Sequence, residues 1–297
     1  MRHFTTIPVA VVFACCLALV FPSRAEAKVT HQQASCPDPQ QLSNGSYGCT
    51  VPSGVRPPGH GGGGNPSDWG ICGILSLSGK FGPKTVIEIV VDASGYYAVS
   101  LENNSPSDVP TAEMTCVLFT DFKGGPPASD ASSFGPPPPG FSHNGTIKSS
   151  AENACIWAGL SGNLITIDQA AQEAGGEAAA QFSVSDTVIS SANVTSYTYC
   201  VGYSSASWKG WTFVSPKPNF TTPPSVISLG LNDGHDWCYM QGIYAHLNFF
   251  EDDYDAYISA SKAISAGLDL SSGGNYSMAA TPAGGISVSY NCLPLKQ

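Results

Sequence analysis

Four carboxylates crowd into FFEDDYDAY at residues 249–257: Glu251, Asp252, Asp253 and Asp255. Hard oxygens at this density suit calcium, and two of them at the right separation could act as the acid and base of glycoside hydrolysis. Two features argue the other way. The spacing is not that of an EF-hand loop, and adjacent carboxylates on a strand would point to opposite faces. A solvated turn between two strands is the favoured explanation of the cluster, ahead of calcium binding, with catalysis last. The four residues therefore stand as metal-ligand candidates and not as a catalytic set.

A second group could bind rather than react. Trp208 and Trp211 in SASWKGWTF follow closely on Cys200, with Tyr203 between, in a polar and glycine-containing context. Exposed aromatic faces stack on sugar rings or anchor protein interfaces, so these three are the binding candidates. The alternative is that they cover the end of a folded unit. Trp69, Trp157 and Trp237 lie beside cysteines in apolar runs and read as core.

Motifs for other chemistry are missing. There is no G-x-S-x-G, and Ser161 in GLSGN lacks the flanks of a nucleophile elbow. DASG at 92–95 is one loose echo of an aspartic-protease motif that needs two. No P-loop, dinucleotide fingerprint or zinc-spaced cysteine–histidine cluster occurs. The histidines at 31, 60, 143, 235 and 246 are scattered. The expectation is a protein that is not an enzyme and takes no cofactor. With 12 basic against 22 acidic residues and a formal net charge of −10, it cannot neutralise a run of phosphates, which argues against nucleic acid.

The elements that must position these residues are written three times. CGILSLSGKF from Cys72, CIWAGLSGNL from Cys155 and CYMQGIYAHL from Cys238 share one interval (155 − 72 = 238 − 155 = 83). Leu77, Leu160 and Ile243 align, as do Phe81, Leu164 and Leu247, with Gly79, Gly162 and Ala245 between them. Large and small residues alternating at period two indicate a strand with one buried face. Ser76, Gly159 and Gly242 interrupt that run, and glycine in a strand often marks a bulge. Such a bulge would bring the cysteine and the downstream apolar residues onto one face. The segments that follow are strongly β in the first copy (85–102) but alanine-rich in the second (168–182) and third (255–268). Shared ancestry favours strand in all three.

Each opening cysteine has a closing partner, in TCVLF, YCVGY and NCLPL, at Cys116, Cys200 and Cys292. The simplest framework is one bridge per copy, plus Cys36–Cys49 across the Asn44–Gly45 turn. The rival links neighbours, as in Cys116–Cys155 and Cys200–Cys238. Closing loops of this length is worth about 4 kcal/mol in the chain-entropy model.

The first residues have two early basic side chains, an apolar run near Ile7–Phe21 and Ala25-Glu26-Ala27, the layout of a secretory signal peptide over 1–27. No later stretch is long and apolar enough to span a bilayer. The expected organisation continues with an N-terminal disulfide hairpin and Gly/Pro linker (28–68), then β modules at 69–122, 151–214 and 233–297. Pro-rich linkers at 123–150 and 215–232 separate them. The fold class is all-β, with three tandem disulfide-stapled, sandwich-like modules of about 83-residue period. Of two arrangements, bead-like modules are the expected one, because prolines this dense cannot belong to a sheet interior. The other is a single fold of three-fold pseudosymmetry with connectors around its outside.

Sequons at Asn44, Asn103, Asn144, Asn193, Asn219 and Asn275 would make a decorated glycoprotein if the source cell glycosylates. Taken together, the residues describe a secreted, non-catalytic binding protein, extracellular, at a cell surface or in the periplasm, with a glycan or an extracellular protein as partner. A structural coat, wall or appendage component is the alternative. A secreted hydrolase built on the acidic cluster is third.

Overall fold

A computed structural model describes residues 29–57, 68–82, 84–121, 145–146, 153–162, 177–182, 187–190, 194–202, 227–232, 235–246, 264–270, 273–281 and 286–295. Among these residues there are strands and short 3-10 turns but no α-helix. The all-β expectation holds.

The three copies follow one plan. The opening strand, bearing the first cysteine, is β4 (Gly70–Gly79), β9 (Asn153–Gly162) or β14 (Asp236–His246). The closing strand is β7 (Thr111–Leu118), β12 (Val194–Gly202) or β17 (Ile286–Pro294). Between them come two middle strands: β5 (Val86–Val91) and β6 (Tyr97–Asn103), β10 (Glu177–Phe182) and β11 (Thr187–Ser190), β15 (Ile264–Leu270) and β16 (Asn275–Thr281). A leading strand precedes each copy: β3 (Tyr47–Pro52), β8 (Gly145–Thr146) and β13 (Ile227–Asn232). β1 (Val29–Ala34) and β2 (Gln40–Gln41) complete the set.

The sheets do not follow the copies. Their orders are β1-β7-β4-β15-β16-β13, β12-β9-β5-β6-β3-β2 and β17-β14-β10-β11-β8. Opening and closing strands of one copy pair with each other, and the middle strands pair with the opening strand of the next copy. The third copy's β15 returns to β4 of the first, closing the cycle. The buried residues form one hydrophobic core drawn from all three copies, including Ile74, Trp157 and Tyr239. Bead-like modules, each with its own sheets, are therefore not what the pairing shows. It corresponds to the single pseudosymmetric fold. The physical reason is that a single copy is too short to cover both faces of its own strands, whereas exchanging middle strands covers them all. The segment expected to be a signal peptide and most of the expected linkers lie outside the described residues, but β8 falls within 123–150 and β13 within 215–232, so these stretches are in part strand and not linker.

The bulge read from the sequence is present in every copy. The register of β4 on β7 shifts between Ile74 and Ser76, that of β9 on β12 skips Ala158, and that of β14 on β17 shifts between Met240 and Gly242. Cys72, Ile74 and Leu77 thus oppose Cys116, Met114 and Ala112, alternate residues on one face of β7. All six are buried.

The bridges follow the within-copy pattern: Cys36–Cys49, Cys72–Cys116 and Cys238–Cys292. Cys155 is also disulfide-bonded, and the register sets it directly opposite Cys200. Ala178, Ala179 and Ala180 lie in β10, paired with β14, so a local preference for helix yields to the ladder. Trp157 and Trp237 are fully buried, and Trp69 packs half-buried against the core.

Candidate functional site

Strand direction decides where the copies' connections gather. β4 ends beside the start of β15, β9 ends beside the start of β5, and β14 ends beside the start of β10. The chain therefore passes from one sheet to the next at one end of each ladder, the hand-over end. In the first copy this crossing is short and well tied. Gly162 N–H donates to the Thr85 carbonyl at 2.9 Å, and the Asn103 amide nitrogen lies within bonding distance of the Lys80 carbonyl, Thr85 Oγ1 and the Asp108 carbonyl. Lys80 Nζ meets Asp108 Oδ1 at 2.8 Å across the same gap.

The predicted acidic residues Glu251, Asp252, Asp253 and Asp255 lie between β14 and β15, in the third copy's hand-over connection, outside the described residues. Trp208, Trp211 and Tyr203, beyond the end of β12, also lie outside them. Cys36–Cys49, Cys72–Cys116 and Cys238–Cys292 are paired as expected.

The densest chemistry among the described residues was not singled out from sequence. Glu88 sits mid-strand in β5, between the core residues Ile87 and Ile89, and so faces away from the core. That outer face is nonetheless shielded: Glu88 is 5 % exposed, with Val90 and Ala98 buried beside it. Glu102 lies on the same face one ladder step away, since Glu88 pairs with Ser100 and Val86 with Glu102. Asn44 Nδ2 and Ser46 Oγ donate to Glu102 Oε2 at 3.0 and 2.8 Å. On the other side, Glu88 pairs with Gly159, which pairs with Tyr197, and the Tyr197 and Ser161 hydroxyls are 2.8 Å apart.

Burial, reinforced by the negative Glu102, pushes the Glu88 carboxyl up to about 7. The same charges, after burial, help raise the Tyr197 phenol. The result is a carboxyl that changes charge near neutrality beside a second carboxylate and two hydroxyls, a set able to donate or accept hydrogen bonds. A related place in the neighbouring sheet carries another: Glu113, opposite Ser76, is raised by burial and by Asp269. Perturbed carboxyls mark candidate sites, though structural carboxyls can be perturbed as well. The signal in the sequence was a lone Glu inside VIEIVV, a charge in an otherwise apolar strand.

Among the described residues no group of three His, Cys, Asp or Glu side chains could hold a metal ion. No protein-family model matches the chain, and no curated protein matches it.

Proposed function

We propose that the protein is a secreted, non-catalytic binding protein, with a glycan or an extracellular protein as ligand. The observation that carries this reading is the strand exchange around one core, locked by buried disulfides, with the copies' connections leaving at the hand-over end. Rigid sheets that project connections of unlike sequence are the usual support for recognition loops. Three such connections, between β4 and β5, β9 and β10, and β14 and β15, share one apolar residue near their start (Phe81, Leu164 and Leu247) and differ in length and sequence beyond it. That is what differing contacts on one scaffold require. The bridges fit an oxidising compartment, and no described helix is long and apolar enough to cross a membrane.

The sequons fit a glycoprotein unevenly. Asn44 and Asn275 are exposed, whereas Asn103 is 5 % exposed and committed to its carbonyl partners. The binding test is a glycan array run beside capture of extracellular proteins, using the wild type and Trp208→Ala, Trp211→Ala and Asp252→Asn/Asp253→Asn variants. Loss of a ligand in any of the three supports the reading. A ligand that all three retain would remove the assigned residues, and hydrolysis of an arrayed glycan would replace binding by catalysis.

A further inference from the structure

We infer that Val29–Ala34 is an exchangeable arm: once the Cys36–Cys49 bridge is reduced, it adds to β7 of a second copy of this chain, and that copy's arm returns the pairing. All six arm residues pair antiparallel with β7, from Val29 opposite Val117 to Ala34 opposite Ala112, at the outer edge of its sheet. Only Ala34 in the arm is buried. Its hold on the body is the β7 ladder together with Thr30 Oγ1 donating to the Cys116 carbonyl at 3.3 Å and Val29 packed half-buried against the core, a lighter anchorage than that of the largely buried β4 and β7.

What confines the arm is the bridge just beyond it. Cys36 is tied to Cys49 in β3, which belongs to a different sheet from the arm. With the bridge closed, Ser35 is the only residue between the arm and a fixed point, so the arm cannot reach another molecule. With it open, the chain stays free until Gln40, which pairs with Gly48, and Ser35–Pro39 becomes a hinge. A mutual exchange then keeps every arm–β7 pair, so concentration decides the balance.

Among the described bridges it is also the most reachable. Cys36 and Cys49 are half-buried, whereas Cys72, Cys116, Cys238 and Cys292 are 0, 2, 0 and 6 % exposed. A small-molecule dithiol supplies the electrons. Its thiolate attacks one bridge sulfur and expels the other as a thiolate, which takes up a proton. Its second thiol then displaces the remaining protein sulfur, leaving two protein thiols and one oxidised dithiol.

The test places a reporter across the arm and β7, at Gln33 and Glu113, which face each other in register. Gln33→Cys/Glu113→Cys is made in the wild type and in a Cys36→Ser/Cys49→Ser background, concentrated, oxidised and run on non-reducing gels. The expected result is a within-chain link when the clasp is present and a between-chain link when it is absent. A within-chain link in both, or no link without the clasp, overturns the inference. Because these variants could fail to fold, wild-type protein is also treated with graded dithiol, alkylated and sized. Alkylation of Cys36 and Cys49 ahead of the other cysteines, with a doubling of mass, supports the exchange. Simultaneous reaction of all the bridges, or an unchanged mass, refutes it.

Discussion

Gly73 and Tyr239 occupy one space: a Cβ built on Gly73 would lie 2.7 Å from Tyr239 Cβ. These are equivalent positions, each one residue past an opening cysteine, and Ile156 is the third. At these equivalent positions the three copies carry glycine, isoleucine and tyrosine, and Gly73 leaves the space that Tyr239 fills, so the pseudosymmetry is broken there. Tyr239 also stacks its ring 4.5 Å from Trp237, whose Nε1 donates to Thr115 Oγ1 of the first copy at 3.0 Å.

Gly73→Ala should therefore destabilise the fold by about 1–3 kcal/mol through overpacking, and Tyr239→Ala by about 3–5 kcal/mol through the cavity it leaves. The informative variant is the pair. Gly73→Val/Tyr239→Ala should be less destabilised than the sum of its singles in urea unfolding, because the added valine fills part of the space. Strict additivity would mean the two side chains do not share a site.

A second tight approach lies where the first and second copies join. Gly159 has φ +135°, and a Cβ there would sit 1.9 Å from the Ile87 carbonyl oxygen, a backbone atom that cannot swing away. Gly159→Ala should cost more than Gly73→Ala and should loosen the β9–β5 ladder. Hydrogen exchange at Val86–Val91 reads this directly. Gly45, whose Cβ would meet nothing within 4 Å, serves as the control for positive φ alone (+80°). Gly45→Ala should leave that ladder unchanged.

The pairing of the three described bridges, the bulge and the strands in the described parts of the alanine-rich segments (177–182 and 264–268) were legible because each is a local pattern repeated in register. Cys72, Ser76 and Leu77 carry the bulge in their order alone. What could not be read is which copy each middle strand joins. The apolar face of VIEIVV satisfies β4 or β9 equally, and the choice depends on connection lengths and on seam residues such as Gly159 and Gly267. Glu88 was passed over for a similar reason. Its neighbours are apolar in sequence, but its shift comes first from the shielding of a face that only the assembled sheet possesses and second from the charge of Glu102.

Asn103 supports a prediction about modification and about stability. Its amide nitrogen lies 2.9, 3.1 and 2.7 Å from the Lys80 carbonyl, Thr85 Oγ1 and the Asp108 carbonyl, joining the two connections at the hand-over end. Produced in a glycosylating cell, the protein should carry glycan at Asn44 and Asn275 and none at Asn103, as glycopeptide mass spectrometry would reveal. Asn103→Ala should cost about 1–3 kcal/mol, since it strands buried acceptors. Lys80→Ala removes only a partly exposed ion pair and should cost at most about 1 kcal/mol.

Because the copies share their sheets, heating should give one cooperative transition. Cys238→Ser/Cys292→Ser should move that whole transition to lower temperature, without splitting off a third-copy melt. In the chain-entropy model the loss for this 54-residue separation is about 4 kcal/mol. Separate transitions by calorimetry, with only one displaced, would mean that the copies fold alone.

Glu88 sets the direction of the pH dependence. Burial first, and the Glu102 charge second, push its folded-state carboxyl up to about 7 from the ordinary glutamate value of 4.5. Below about 4.5 both folded and unfolded chains hold the proton, so the group costs nothing. Between about 4.5 and 7 the unfolded chain releases it while the folded chain retains it, so stability falls as pH rises. Above about 7 both are ionised, and the penalty levels off at no more than about 3–4 kcal/mol. Glu88→Gln keeps the shape without the charge. It should raise the urea midpoint at pH 8, leave it unchanged at pH 4, and flatten the slope between. An equal gain at both pH values would assign the effect to packing, and a gain confined to pH 4 would reverse the sign argued here. Glu102→Gln offers an independent check. It removes the second and smaller cause of the shift, so the Glu88 midpoint should fall towards the ordinary carboxylate range while remaining above it, because burial persists.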